Sequence, residues 1–214
     1  MVGRNGSGKT TFIKLMCRLY DVTDGEILIN GVNIKDYTKD SIIKLYSVVF
    51  QDFKIFSVSL KDNICANSDF EGDRFYTCLE NADIKERTEH MPNKENTYLY
   101  KDLDENGVEI SGGEAQKLAL ARALYKDAPI VVLDEPTAAL DPIAENEIYT
   151  RFNTFVQGKT AIYISHRLSS CAFCDKIAVF NNAKLAETGT HKDLLSAGGK
   201  YAELWNAQAK YYIQ

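Results

Sequence analysis

The chain has 214 residues, 45% of them hydrophobic and 26% charged, with 25 basic against 30 acidic side chains and a formal charge of −5. This balance excludes a disordered chain and a generally basic nucleic-acid-binding face, while leaving room for a local patch that grips phosphate. No apolar run reaches the roughly 20 residues that a membrane span needs, and the opening Met-Val-Gly-Arg-Asn-Gly carries no apolar signal-peptide segment.

In chain order, the glycine-rich start is followed by a predicted helix whose Phe12, Ile13, Leu15, Met16 and Leu19 form an apolar stripe. Residues 26–34 read as a hairpin: Ile27 and Ile29 alternate, Asn30-Gly31 supplies a type I′ turn, and Val32 and Ile34 return. Ser47 to Phe50 is predicted as a buried strand. Residues 54 to about 105 are more polar, with helical spacing and no convincing strand. A helical run over Ala115 to Tyr125 follows. Ile130 to Leu133 is a strand between Pro129 and Pro136, and Thr160 to Ser165 and Lys176 to Phe180 complete the sheet. Two terminal helices, around Leu194-Leu195 and from Tyr201 through Leu204, Trp205 and Gln208, are split by Gly198-Gly199. Short apolar strands alternating with helices predict an α/β fold with a largely parallel sheet. The expected division is an α/β core, residues 1–53 and 126–214, with a helical subdomain inserted at 54–125.

Cys17, Cys65, Cys78, Cys171 and Cys174 are odd in number and irregularly spaced, which fits a reducing compartment. Cys171 and Cys174 form a C-x-x-C, but no second pair or nearby histidine accompanies them. Buried, inert thiols are the expectation.

Three places carry chemistry. Gly3-Arg4-Asn5-Gly6-Ser7-Gly8-Lys9-Thr10 matches the phosphate-loop pattern G-x-x-x-x-G-K-[ST] at every fixed position. The glycines let backbone N–H groups converge on an anion, and the helix starting near Lys9 adds its positive end. Lys9 can reach the β- and γ-phosphates, and the Thr10 hydroxyl can bind Mg²⁺. A glycine-rich turn with a surface lysine is the alternative, and the strand that should precede such a loop is missing, because only Met1 and Val2 stand before it. The apolar strand Ile130-Val131-Val132-Leu133 ends in Asp134 and Glu135, placed where ligands sit in parallel sheets. Asp134 suits Mg²⁺ held through water, and Glu135 suits polarisation of an attacking water; solvated acids at a strand exit are the alternative. Ser111-Gly112-Gly113-Glu114 opens the helix 115–125 with a capping box. The exposed N–H groups beside that cap form a second anion cradle, unless this is a plain capped helix. One triphosphate has no need of two cradles in one chain, so the second is expected to serve a nucleotide bound by another copy.

In this order the pieces resemble the nucleotide-binding domain of ABC transporters. Gly3–Thr10, with Thr11 beside it, is similar to Walker A. Gln51, in Val49-Phe50-Gln51-Asp52, is similar to the Q-loop glutamine. Ile110-Ser111-Gly112-Gly113-Glu114 is similar to the LSGGQ signature, with Ile and Glu in place of Leu and Gln. Ile130–Glu135 resembles Walker B with the catalytic glutamate, Ala139-Leu140-Asp141 the D-loop, and His166 in Ile164-Ser165-His166-Arg167 the switch histidine. Glu105-Asn106-Gly107 and Glu187-Thr188-Gly189-Thr190-His191 resemble exporter members in particular.

The resemblance implies a P-loop ATPase fold with ATP and Mg²⁺ as ligands. Thr10, Gln51 and Asp134 would hold the metal. Glu135 would be the catalytic base, His166 would hold the γ-phosphate, and Ser111, Gly112, Gly113 and Asp141 would face the partner's nucleotide. It also implies a second nucleotide-binding domain, identical or not, a transmembrane partner, no nucleic acid, and a cytoplasmic position at the inner face of the cell membrane. Family members carry further residues ahead of Walker A, including an aromatic that stacks on adenine. The resemblance therefore implies an N-terminally shortened domain with an open hairpin edge at residues 26–34, a core sheet lacking one strand, and weakened base recognition. The rival readings are a soluble ABC ATPase acting on DNA or ribosomes, and an inactive fragment.

Overall fold

A computed structural model describes residues 1–66, 68–135, 150, 152–153, 155–165, 168–171 and 173–212. The fold is mixed α/β, with a parallel sheet and antiparallel hairpins, as the alternation of strands and helices predicts. The chain divides into two compact units, Met1–Tyr46 with Ile162–Gln214, and Ser47–Ala161.

In the first unit, helix α1 (Lys9–Met16) opens at Gly8, whose φ of 96° is left-handed. Its predicted stripe is narrower than expected. Ile13 is fully buried, Phe12 is exposed, and Leu19 lies beyond the helix end. The hairpin forms as β1 (Leu28–Ile29) and β2 (Val32–Asn33), paired Leu28 with Asn33 and Ile29 with Val32. Asn30 and Gly31 have φ of 51° and 81°, the two left-handed residues that a type I′ turn requires. Ile34 starts a short 3-10 turn instead of extending the strand, and its amide still bonds the Ile27 carbonyl at 2.8 Å. Leu28 and Val32 remain exposed.

The second half of this unit corrects one expectation and qualifies another. Strand β6 (Ile177–Asn181) is paired antiparallel with β7 (Lys184–Gly189), a strand absent from the sequence reading. The turn between them is Asn182-Ala183, both at positive φ (51° and 57°). Alanine is unusual there, so no glycine marked the turn. No strand precedes the phosphate loop, as expected, but Met1 and Val2 are paired. Val2 N–H donates to the Ala178 carbonyl (2.9 Å) and its carbonyl accepts from Phe180 N–H (2.8 Å), a parallel bridge to Val179. On the other side, Ser165 N–H donates to the Met1 carbonyl (3.4 Å), and the Met1 amino group bonds the Tyr163 carbonyl. Two residues therefore do the work of the strand that feeds the phosphate loop. Val2 is fully buried, packed with Leu168, Cys171, Ile177, Val179, Leu194 and Tyr201. The two terminal helices form as predicted, at His191–Ser196 and Lys200–Tyr212. The Glu187 carboxylate caps the second by accepting from Lys200 N–H and Tyr201 N–H, and His191 is tied structurally through Nδ1 to the Tyr201 hydroxyl at 2.7 Å.

Strands β3 (Tyr46–Val49), β4 (Ile130–Asp134) and β5 (Thr160–Ile164) form one sheet with β4 in the middle. The predicted strand 47–50 is thus shifted back by one residue. Val131, Val132 and Leu133 are at most 1% exposed, as a central strand covered on both faces requires. Buried Ser47 accepts from Ala128 N–H through its hydroxyl at 3.3 Å.

In the first unit, α2 (Lys39–Leu45) leads into β3; among the described residues of the second unit, the helices are α3 (Leu60–Cys65), α4 (Gly72–Asn81), α5 (Lys85–Glu89) and α6 (Gly112–Lys126). Helix α6 is its axis. Leu118, Leu120, Ala121, Leu124 and Tyr125 are buried, alongside Leu60, Ile64, Phe75 and Leu79 of α3 and α4. A helix apolar on most sides belongs at a core's centre. Arg122 fixes it to the chain after β3 by donating to Asn63 O (2.7 Å), Asn63 Oδ1 (3.1 Å) and Lys54 O (2.9 Å). Ahead of α6, Gly107 packs so tightly that a Cβ would stand 1.7 Å from the Tyr100 carbonyl oxygen. Glycine is required at that crossing, where Tyr100 N–H bonds Val108 O and Val108 N–H bonds Tyr98 O.

Candidate nucleotide site

The phosphate loop is built in the first unit. A Cβ on Gly3 would lie 2.3 Å from the Phe180 carbonyl oxygen and 2.7 Å from Ser7 Oγ, so the loop's entry admits only glycine. Ser7 is buried, Arg4, Asn5, Gly6 and Thr11 are exposed, and Gly8 and Thr10 are half-buried. Lys9 is 5% exposed, an unusual burial for an ammonium. It is compensated by the loop itself: Nζ donates to Gly3 O (2.9 Å), Arg4 O (3.1 Å) and Ser7 Oγ (3.5 Å). The cation thus sits inside the ring of backbone that would surround an anion, at the N-terminus of α1, where the helix dipole adds to it.

The second unit brings three predicted features together. Asp134, 1% exposed, closes β4. Glu135 follows at φ 53°, a strained conformation for a non-glycine residue of the kind found at functional sites. Gln51 stands in the turn after β3 and its Nε2 donates to Glu135 Oε2 at 3.4 Å. Gln116 of α6, 4% exposed, donates through Nε2 to the Glu135 carbonyl at 3.1 Å. Gln116 escaped the sequence reading; the only signal was one amide among the apolar positions of a buried helix.

At the start of α6, Ser111 and Gly112 are exposed and Gly113 half-buried. The capping box is complete: Ser111 Oγ accepts from Glu114 N–H (3.2 Å) and Ser111 N–H donates to Glu114 Oε2 (2.7 Å). Glu114 Oε1 in turn accepts from Arg87 Nε at 2.7 Å. Burial works against the Glu114 charge, but the Ser111 bonds and the Arg87 guanidinium outweigh it and hold the carboxyl below its ordinary value. Asp141 and His166 lie outside the described residues.

All five cysteines are free thiols. Burial pushes Cys78 up to about 11 and Cys171 up to about 12, and raises Cys65 and Cys174. These four stay protonated at neutral pH, and thiols without thiolate are inert.

The protein-family model described as ABC transporter matches residues 1–138. The chain belongs to the ABC transporter family. It is 40% identical over 209 residues to ABC transporter B family member 6 of Dictyostelium discoideum, covering 97% of this chain and 30% of that protein. It is 40% identical over 210 residues to the ATP-dependent lipid A-core flippase of Idiomarina loihiensis, covering 97% of this chain and 35% of the flippase. Among solved structures, a bacterial Atm1-family ABC exporter with ATP bound superposes with a TM-score of 0.90 at 36% identity, over 97% of this chain and 36% of the exporter. The chain spans about a third of the length of these relatives. It corresponds to the ATP-binding domain of exporter-type ABC transporters.

The residues fit the ligands that the family implies. The Gly3–Lys9 cradle suits a polyphosphate. Within the second unit, the Asp134 carboxylate and the Gln51 side-chain carbonyl are hard oxygen donors of the type that Mg²⁺ takes alongside phosphate and water. Among the described residues there is no cluster of three His, Cys, Asp or Glu side chains fit for a metal. No helix among the described residues is long and apolar enough to cross a membrane.

Proposed function

We propose that this chain is the ATP-hydrolysing motor of an exporter-type ABC transporter. The observation that carries the reading is the hydrogen bond from Gln51 to Glu135 at the end of β4. Gly3, Arg4, Asn5, Gly6, Ser7, Gly8, Lys9, Thr10 and Thr11 bind the phosphates. Lys9 exchanges its loop oxygens for phosphate oxygens, and Thr10, Asp134 and Gln51 hold Mg²⁺. The metal, when bound, neutralises charge on the phosphate oxygens. Glu135 takes the proton of the attacking water on its carboxylate, whose direction is set by Gln51 from the side and by Gln116 from the backbone. His166 holds the γ-phosphate.

Ser111, Gly112, Gly113 and Asp141 complete the site of a second copy or a related domain, so that two ATP molecules are held head to tail. Closure on ATP and reopening on hydrolysis drive a transmembrane partner from the cytoplasmic, inner face of the cell membrane. The ABC transporter family match and the 40% identity to a flippase support this reading over one on DNA or ribosomes.

The test is Glu135→Gln. Loss of a general base costs about 100-fold or more in hydrolysis, so phosphate release should collapse while Mg-ATP still binds. Hydrolysis at the parent rate would refute the role of Glu135.

A further inference from the structure

We propose that Arg87 is a positioning residue for the ATP reaction: by holding Glu114, it keeps the Ser111–Gly113 turn attractive to a triphosphate. This deepens the proposed function and rests on it.

An anion cradle at a helix start works through free N–H groups and a positive helix end worth about half an elementary charge. Glu114 opposes both. Its Oε2 occupies the Ser111 N–H at 2.7 Å, and its full negative charge sits in the first turn of α6. Counted alone, the turn carries about +0.5 − 1, a net repulsion for phosphate. Arg87, from α5, places its Nε 2.7 Å from the other oxygen, Glu114 Oε1. The count returns to about +0.5. One helix turn on, Lys117 pairs with Asp83 at 2.6 Å, so α6 is tied at two points to the segment bearing Arg87. The side chains of Arg87 and Glu114 are 41% and 25% exposed, so the pair is partly screened rather than buried. Its effect on the turn runs through Glu114.

The test is a double-mutant cycle in the Glu135→Gln background, reading the Mg-ATP concentration at half-maximal self-association by sedimentation velocity. Arg87→Ala should raise that concentration about tenfold at low salt, and less at 0.5 M salt, where charges are screened within a few ångströms. Arg87→Lys should recover part of the loss. In a Glu114→Gln background, Arg87→Ala should change the midpoint by less than twofold, because the charge it balances is gone. A role in packing alone predicts the same loss with and without Glu114, and that result overturns the proposal. Should Arg87→Ala lose its folded signal by circular dichroism, Arg87→Gln, which keeps the stem, carries the same comparison. If the Glu135→Gln protein does not self-associate with Mg-ATP at all, the dimer reading fails along with this one. If it does and Arg87→Ala matches it, only the role of Arg87 fails.

Discussion

Gln51 and Glu135 stand 84 residues apart in the chain and share a hydrogen bond, Nε2 to Oε2, of 3.4 Å. One ends the approach from β3 and the other the exit from β4, two neighbouring strands of one sheet. Adjacent strand ends thus bring an amide and a carboxylate to one place, and a second amide, Gln116, fixes the backbone behind them.

This geometry gives Gln51 a measurable part. Gln51→Ala should lower kcat about tenfold or more, a fraction of the loss expected for a general base itself. It should leave the thermal midpoint unchanged, because Gln51 is exposed and this bond is long. Steady-state phosphate release together with a thermal melt checks both halves.

On the proposed function, Lys9 is expected to be required for Mg-ATP binding. At 100 times its Kd, Mg-ATP stabilises the folded state by about 2.7 kcal/mol, which at this chain length is a rise of roughly 5–10 °C in Tm. Differential scanning fluorimetry should show that rise for the parent and none for Lys9→Ala.

Gly3 is predicted to tolerate no side chain. The Cβ of Gly3→Ala would meet backbone, the Phe180 carbonyl oxygen at 2.3 Å, so the strand pairing of Met1-Val2 or the loop must shift. A loss of about 1–3 kcal/mol in urea denaturation is expected, as for other overpacked sites, together with weakened Mg-ATP binding. Gly6→Ala would meet nothing within 4 Å, though its φ of 74° is strained, and should lose less stability.

The Glu114 network predicts a pH dependence with a definite sign. Its carboxyl is held below the ordinary value of 4.5 in the folded state, so its stabilising contribution is complete above that value and is lost as pH falls through the lower, folded value. Compared with Glu114→Gln, the parent should be more stable by about 1 kcal/mol at pH 7. That advantage should shrink as the medium is taken below about pH 4.5. Urea midpoints of the two proteins across pH 3–7 measure it.

The parts that sequence made legible are those where one residue type admits one conformation. Asn30-Gly31 specifies a type I′ turn and Ser111 with Glu114 a capping box, and both are present. The β6–β7 hairpin was hidden because Asn182-Ala183 makes the same left-handed turn without glycine. Met1-Val2 is too short to read as a strand, and in the structure it makes a single parallel bridge, Val2 to Val179, with further backbone bonds from Met1 to the chain at 163–165. The resemblance singles out Gln51 and Glu135 separately, but their hydrogen bond joins the ends of two strands and no local pattern shows it. Neither Arg87 nor Gln116 is visible in the sequence, because each makes its contact with a residue 27 or 19 positions away.

The most direct test of the account is a crystal structure of the Glu135→Gln protein grown with Mg-ATP. The crystal should hold a two-fold dimer in which each triphosphate lies in the Gly3–Thr10 loop of one copy and also touches the Ser111 hydroxyl and Gly113 amide of the other. A nucleotide bound by the loop with Ser111 of both copies away from every phosphate would contradict it.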